Sequence, residues 1–532
     1  MNRTSRSLIN TGVGSVAMVL EMIGQLVLRS MIVRLLVAGD LLYGVNQLFV
    51  NIISTLSIAE LGVANVIGFS LYKPIAEHNQ HDIIAMMQMF RKMYYKIAFI
   101  VLTLGVLFAP ALPFFMRSVE DASSLGMKTI YLYYAVFVID AFTSYFFSYN
   151  KTFLIADQRN YVVMAIRAVY AVGGMALCIG VLYLTRSFFW YLVTWTITRF
   201  LENATAYYYV YKKYPFLNTK EQYVLEPDQK KGIIKNIKAL IFHRIGGLLT
   251  LNCDFLIYAG LGQAGAIVSI GVYSNFLMIK DGIYKFTVKV YDGIRASLGD
   301  YTVTHPKEDT EKMYKNIEMM SFIMFSFFSV IMLNISQPFV NLWMGEAQTA
   351  SLAVLVVIIL NFYMRGIRSP VDMLKDVCGI YWQDRYKSFV ECAVKILSAI
   401  GLGILLADKF NGDGAYIGVL LGTVVSTTTV LLTVEPYMIY KYVFEKPVWS
   451  YYVRYVIYMI LMILMGISSY FLCELVPSSI GLLSLIVVRI FICGGVCALF
   501  YLIFLSRTAE FQYLFHVGMS YLKKLRRKKA NA

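Results

Sequence analysis

The sequence predicts an all-α polytopic membrane protein of about fourteen transmembrane helices, arranged as two parallel-related six-helix lobes around a central cavity plus two extra C-terminal helices. Three observations predict it. The chain has 532 residues that are 58% hydrophobic and only 15% charged, and its mean hydropathy is +0.63, outside the range of ordinary water-soluble domains. Apolar runs of about 20 residues, enough to cross about 30 Å of hydrocarbon, recur from end to end. A short polar motif also recurs six spans apart.

The apolar segments fall near 10–36, 42–71, 94–115, 129–150, 161–184, 189–211, 238–260, 265–292, 317–343, 351–377, 389–407, 415–440, 452–473 and 482–505. An even number places both termini on one side. Alternate loops and the two termini hold roughly thirty Lys and Arg, whereas the opposite loops hold about four: Arg117, Lys128, Arg186 and Lys409. Short basic loops stay inside, so both termini are expected in the cytoplasm, with the chain in the cytoplasmic membrane. The first apolar segment is too long for a signal peptide and carries Glu21, Gln25, Arg29 and Arg34, so no cleavage is expected.

The same asymmetry accounts for the net charge of +16: the excess lies at the inner-leaflet surface and does not imply a nucleic-acid partner. The tail 511-FQYLFHVGMSYLKKLRRKKA-530 joins apolar Phe511, Leu514, Phe515 and Leu522 to six basic residues between Lys523 and Lys529, so it is expected to lie on anionic lipid.

Enzyme signatures fail on physical grounds. Gly260-Leu261-Gly262-Gln263-Ala264-Gly265 matches G-x-G-x-x-G in letters, but it sits between two spans without a preceding strand, and reads as a tight turn. The five histidines have no metal-ligand spacing, the seven cysteines lie in or beside apolar segments, and no G-K-[ST] loop exists to take energy from ATP. A non-enzymatic transporter without cofactor or metal is expected, driven by a gradient or by its substrate.

Charges inside spans mark the interior, because an ionisable group in hydrocarbon costs several kcal/mol unless it meets a partner or a wet cavity. Glu21, Gln25 and Arg29 share one helical face. On the tenth span Arg365, Arg368, Asp372, Lys375 and Asp376 fall within about 100° of arc. Gly366 and Pro370 interrupt that span, as in broken helices that line binding sites. Mutual pairing that holds helices together is the competing reading of these clusters. In 277-LMIKDGIYKFTVKVYDGIR-295, Asp281, Lys285, Lys289 and Asp292 form a stripe; Asp281–Lys285 and Lys289–Asp292 are spaced to pair, and Lys280 points away.

The motif 155-IADQRNY-161 after span four recurs as 380-IYWQDRYK-387 after span ten. This separation relates the halves by an axis along the membrane normal. The expected divisions are 1–211 (spans one to six), a linker at 212–237, 238–440 (spans seven to twelve), 441–505 (two further spans) and a basic tail at 506–532.

Four stretches, 56-LSIAELGVANVIGFSLYKP-74, 145-YFFSYNKTFLIADQRNY-161, 376-DVCGIYWQDRYKSFVE-391 and 417-IGVLLGTVVS-426, resemble the oligosaccharide flippases of the O-antigen and capsular polysaccharide type, within the multidrug/oligosaccharidyl-lipid/polysaccharide exporter superfamily. The resemblance implies movement of a polyprenyl-pyrophosphate-linked oligosaccharide between leaflets by alternating access. It also implies pathway partners, a polysaccharide polymerase and glycosyltransferases. Lys395 departs from the pattern, which tends to carry Asn there. Arginine suits a pyrophosphate through its planar, bidentate fork. Arg29 and Arg365 are therefore the expected pyrophosphate contacts, with Gln25, Arg368, Lys285 and Lys289 as further substrate contacts. Glu21, Glu60, Asp254, Asp372 and Glu391 are the acids expected to couple to an ion. A peptidoglycan-precursor flippase and a cation-coupled small-molecule exporter of the same superfamily are the alternatives.

Overall fold

A computed structural model describes residues 20–57, 63–117, 125–380 and 386–530. Its described residues are helical, joined by turns. The helices are α1 (20–35), α2 (Gly39–Leu56), α3 (Val63–Ala76), α4 (Gln80–Met116), α5 (Met127–Ala156), α6 (Asn160–Thr185), α7 (Phe188–Lys213), α8 (Pro227–Asn252), α9 (Asp254–Gly260), α10 (Ala266–Thr304), α11 (Lys307–Met344), α12 (Leu352–Cys378), α13 (Lys387–Leu405), α14 (Gly414–Phe444), α15 (Trp449–Glu474), α16 (Leu482–Leu505) and α17 (Ala509–Ala530).

Each of the fourteen expected spans is occupied, in its described part, by a helix or by a pair of helices. Ten of them, α4 to α6 and α10 to α16, are long and apolar enough to cross a membrane. The other four expected spans differ for readable reasons. The described part of α1 is short, and the second span divides into α2 and α3 around residues outside the described set. α7 carries Arg199, Glu202, Lys212 and Lys213, and the seventh span breaks at Cys253 between α8 and α9. The multi-pass membrane fold follows from the ten helices and from their outward faces, where Phe491 is 75% and Leu405 67% exposed. Apolar surface on that scale is stable only against lipid.

Local sequence sets the helix ends. Asn79 caps α4 by accepting from the Asp82 amide at 3.2 Å, and Ser351 caps α12 through Val354 at 3.4 Å, satisfying amides that have no partner in the first turn. Gly379, at φ 68°, ends α12 in the left-handed conformation that glycine adopts without a steric penalty. The turn at Gly260–Gly265, with Gly262 and Gly265 at φ 71° and 70°, joins α9 to α10, as its glycine spacing predicts.

The chain divides into two compact units, residues 1–271 and 272–532. In the first, α5 is the central helix and packs on α2, α3, α4, α6 and α7. In the second, α11 is central, packing on α12, α15, α16 and α17, while α13 and α12 both pack on α14. α12 runs as two segments, Leu352–Ile367 and Ser369–Cys378, meeting at Arg368, as Gly366 and Pro370 predict. α14 contains π-helical turns at Thr427–Leu431 and Tyr440–Phe444, a distortion often retained where side chains must be re-aimed.

Candidate functional site

The broken tenth span meets an acid that is not among the residues expected from the sequence. Glu435 lies between the two π turns of α14 and is fully buried. Arg368 Nη1 donates to its Oε2 at 2.6 Å, Lys375 Nζ donates to Oε1 at 3.3 Å, and Lys387 of α13 also donates to Oε1. Arg368 Nη2 is in addition 3.1 Å from Asp372. Glu391 lies within electrostatic reach of Arg368, Lys387 and Lys395, and Lys395 is 1% exposed. Four cations and three carboxylates thus gather on α12, α13 and α14, and the kink at Arg368 lets both segments of α12 contribute. The buried charges persist because each meets an opposite charge.

This geometry revises the arc expected on the tenth span. Its charges take different partners: Arg368 and Lys375 turn to Glu435 and Asp372 pairs with Arg368, whereas Asp376 pairs with Arg295 of α10 at 2.8 Å. Arg365 turns to α10 as well, its Cζ lying 4.1 Å from the centre of the Tyr284 ring. Lys285 and Lys289 are exposed on α10. The expected Asp281–Lys285 pair is not formed; Asp281 lies 3.3 Å from Lys280 instead. An i, i+4 pair is worth only about 0.2–0.5 kcal/mol, so a competing neighbour is enough to displace it. The side chain of Asp292 and residue Glu60 lie outside the described residues, as do Asp384 and Arg385 of the second polar motif.

In the first unit the expected residues separate. Glu21 accepts from Arg167 of α6 at 2.8 Å, and Gln25 is exposed. Arg29 is 1% exposed: its Nη2 donates to the carbonyl of Gly271 at 2.5 Å, and its Cζ sits 4.0 Å over the ring of Tyr43. Asp254 opens α9. Beside Arg29 the backbones of α2 and α10 touch, since a Cβ on Gly44 would enter the van der Waals shell of the Ile267 carbonyl and one on Gly271 would lie 3.0 Å from the Asp40 carbonyl. Arg117 Nη2 donates to the Gly260 carbonyl at 2.5 Å. Two arginines of this unit are thus bound to backbone carbonyls. Gly44→Ala is expected to cost about 1–3 kcal/mol through overpacking, read as a lower thermal midpoint of the detergent-solubilised protein.

Further ion pairs brace the first unit: Arg199 with Asp140, and Lys151 with Glu202 at 2.5 Å. Each unit thus contains a lysine near the end of one helix (Lys151 on α5, Lys375 on α12) bound to a glutamate on the second helix after it (Glu202 on α7, Glu435 on α14). This recurrence accords with the repeated polar motif. In the first copy of that motif Asp157 accepts from Arg159 Nε at 2.8 Å and from the Tyr214 hydroxyl. Burial, followed by the bond to Asp157, pushes the Tyr214 hydroxyl above its ordinary pKa.

No protein-family model matches the sequence, and no curated protein matches it. Solved structures do match. The lipid II flippase MurJ in an inward closed conformation superposes with a TM-score of 0.58 at 11% identity, covering 93% of this chain and 99% of that one. An inward-facing multidrug resistance MATE family transporter of the MOP superfamily gives 0.54 at 13% identity, over 78% of this chain and 93% of that one. The chain has the MurJ and MATE fold. A mutant of the Vibrio cholerae MATE transporter VcmN gives 0.51 at 12% identity, over 84% of this chain and 100% of that one. The fold also agrees with the superfamily that the sequence resembles.

Proposed function

We propose that the chain is a flippase that moves a polyprenyl-pyrophosphate-linked oligosaccharide from the inner to the outer leaflet of the cytoplasmic membrane by alternating access, for surface polysaccharide assembly, with both termini in the cytoplasm. The observation that carries this reading is Arg365. It is a half-buried cation inside a span, and among the described residues its charge rests on the Tyr284 ring at 4.1 Å rather than on a carboxylate, which leaves the guanidinium edge to an anionic ligand. A pyrophosphate is suited to that edge, because it accepts two parallel bonds from one planar fork. Lys285, next to Tyr284, and Lys289 on the same helix would meet the charge on its way in.

Coverage of the compared structures also supports a lipid-linked substrate. The MurJ match leaves about 37 of 532 residues uncovered, too few to omit α15, α16 and the tail, whereas the inward-facing MATE match leaves about 117. The two additional spans therefore have counterparts, at least in part, in a flippase of lipid II. That same likeness favours a peptidoglycan-precursor flippase as the second reading.

Deletion of the gene separates these readings. The expected result is loss of surface polysaccharide, with polyprenyl-pyrophosphate-linked repeat units accumulating in the inner leaflet, detected by mass spectrometry of extracted lipids. Arrest of cell-wall synthesis with accumulation of peptidoglycan precursor would assign the second reading. Unaltered polyprenyl lipids together with lost cation-coupled dye efflux would assign a small-molecule exporter.

A further inference from the structure

The second unit buries a second acid, Glu318 of α11, which is 2% exposed and takes no part in the cluster around Glu435. Arg454 of α15 binds it, with Nε 2.9 Å and Nη2 2.8 Å from Oε2. Arg454 Nη2 also donates to the Tyr440 hydroxyl at 3.0 Å. From Tyr440 the rings continue through Tyr451 at 6.3 Å to Tyr455 at a further 6.2 Å. Tyr451 lies within electrostatic reach of both Glu318 and Glu435, and Tyr455 of Arg368.

Along this path the protein leaves several polar atoms without protein partners. Among the described residues nothing hydrogen-bonds the hydroxyls of Tyr314, Tyr363, Tyr451 and Tyr455, or Nε of Arg368, although Tyr314, Tyr363 and Tyr451 are at most 1% exposed. A buried hydroxyl with no partner costs about 1–3 kcal/mol. Several in one place are tolerated when they share ordered water, which needs about three polar partners per molecule.

We propose that Glu318 is a proton-binding site, joined through water held by these tyrosine hydroxyls to the Arg368–Glu435 pair. This deepens the proposed transport function and rests on it. The groups facing Glu318 are Arg454, Tyr451 and Tyr458 from α15, Lys315 and Tyr314 from α11, and Glu510 from α17; Tyr440 of α14 faces it across Arg454. The balance of positive charge is slight, so one proton decides the charge of the site. Glu318 carboxylate takes a proton from hydronium, leaving water and a neutral carboxyl; Arg454 then faces no negative charge there while keeping its bond to Tyr440, and release of the proton restores the ion pair. The route to the helix start leads past Glu311, seven residues earlier on α11, or about 10 Å along the helix, which is 7% exposed and accepts from Lys446 at 2.6 Å while Lys315 lies 2.7 Å from its other oxygen. Glu435 stays ionised throughout, held by three cations.

Two measurements on the full-length protein in liposomes test the site, and neither uses a transport substrate, so their failure is distinguishable from failure of the flippase reading. In pH-difference infrared spectra, Glu318→Gln is expected to remove one protonated-carboxyl band that Glu435→Gln retains. In hydroxyl-radical footprinting of the unsubstituted protein, Tyr451 and Tyr455 are expected to be oxidised as fast as the exposed Tyr513. Survival of the band in Glu318→Gln would overturn the proton site, and protection of both buried tyrosines would overturn the water path. The footprinting decides the water path even where a variant fails to fold.

Discussion

Glu435→Ala is expected to cost about 3–5 kcal/mol, the penalty for removing one partner of a buried ionic network, and to leave the protein largely unassembled in the membrane. The reason is arithmetic of charge. Arg368, Lys375 and Lys387 converge on this one carboxylate, and without it three cations stay buried in a segment surrounded by lipid. The measurement is the yield of monodisperse protein after detergent extraction, followed by its thermal midpoint. The double variant Glu435→Gln with Lys387→Met is expected to recover part of the loss, because it removes a buried positive charge together with the negative one. Recovery equal to that from Lys387→Met paired with an unrelated neutral change would show that Lys387 and Glu435 do not act together, and the two are therefore measured side by side.

Much of this arrangement was legible in the sequence. The expected spans correspond, in their described parts, to helices because about 20 apolar residues in a row leave the chain little alternative to a helix in lipid. The break in α12 was legible too, since Pro370 lacks an amide hydrogen and Gly366 adds freedom beside it. Partners were not. The wheel placed Arg368 and Asp376 on one face, but whether that face meets α14 or α10 depends on packing that no local pattern encodes. Glu435 did leave a signal, an acid followed by Pro436 in an otherwise apolar run, and the rule that singled out Arg365 applied equally to it. Arg29 left no such signal about its partner, because that partner is a backbone carbonyl 242 residues away, and every residue has a carbonyl.

That last contact separates two arginines which the sequence alone had treated alike. Arg365→Ala is expected to reduce substrate translocation at least tenfold, about 1.4 kcal/mol or more, with normal protein amount and thermal midpoint. Arg29→Ala is expected to reduce it by a different route. Arg29 donates to Gly271 and covers Tyr43, so its loss removes a fixed contact beside the place where Gly44 meets Ile267. The physical distinction is that a substrate contact acts only when substrate is present, whereas a structural contact acts always. A single cysteine introduced at Ile267 in a cysteine-free background is therefore expected to react faster with a membrane-impermeant maleimide in Arg29→Ala, and at an unchanged rate in Arg365→Ala. Arg365→Lys should restore little transport, since an ammonium cannot make two parallel bonds to a pyrophosphate, while Arg29→Lys should restore part of the protection, since one donor suffices for one carbonyl. Full translocation by Arg365→Ala would move the pyrophosphate contact elsewhere, and unchanged labelling in Arg29→Ala would return Arg29 to the substrate contacts.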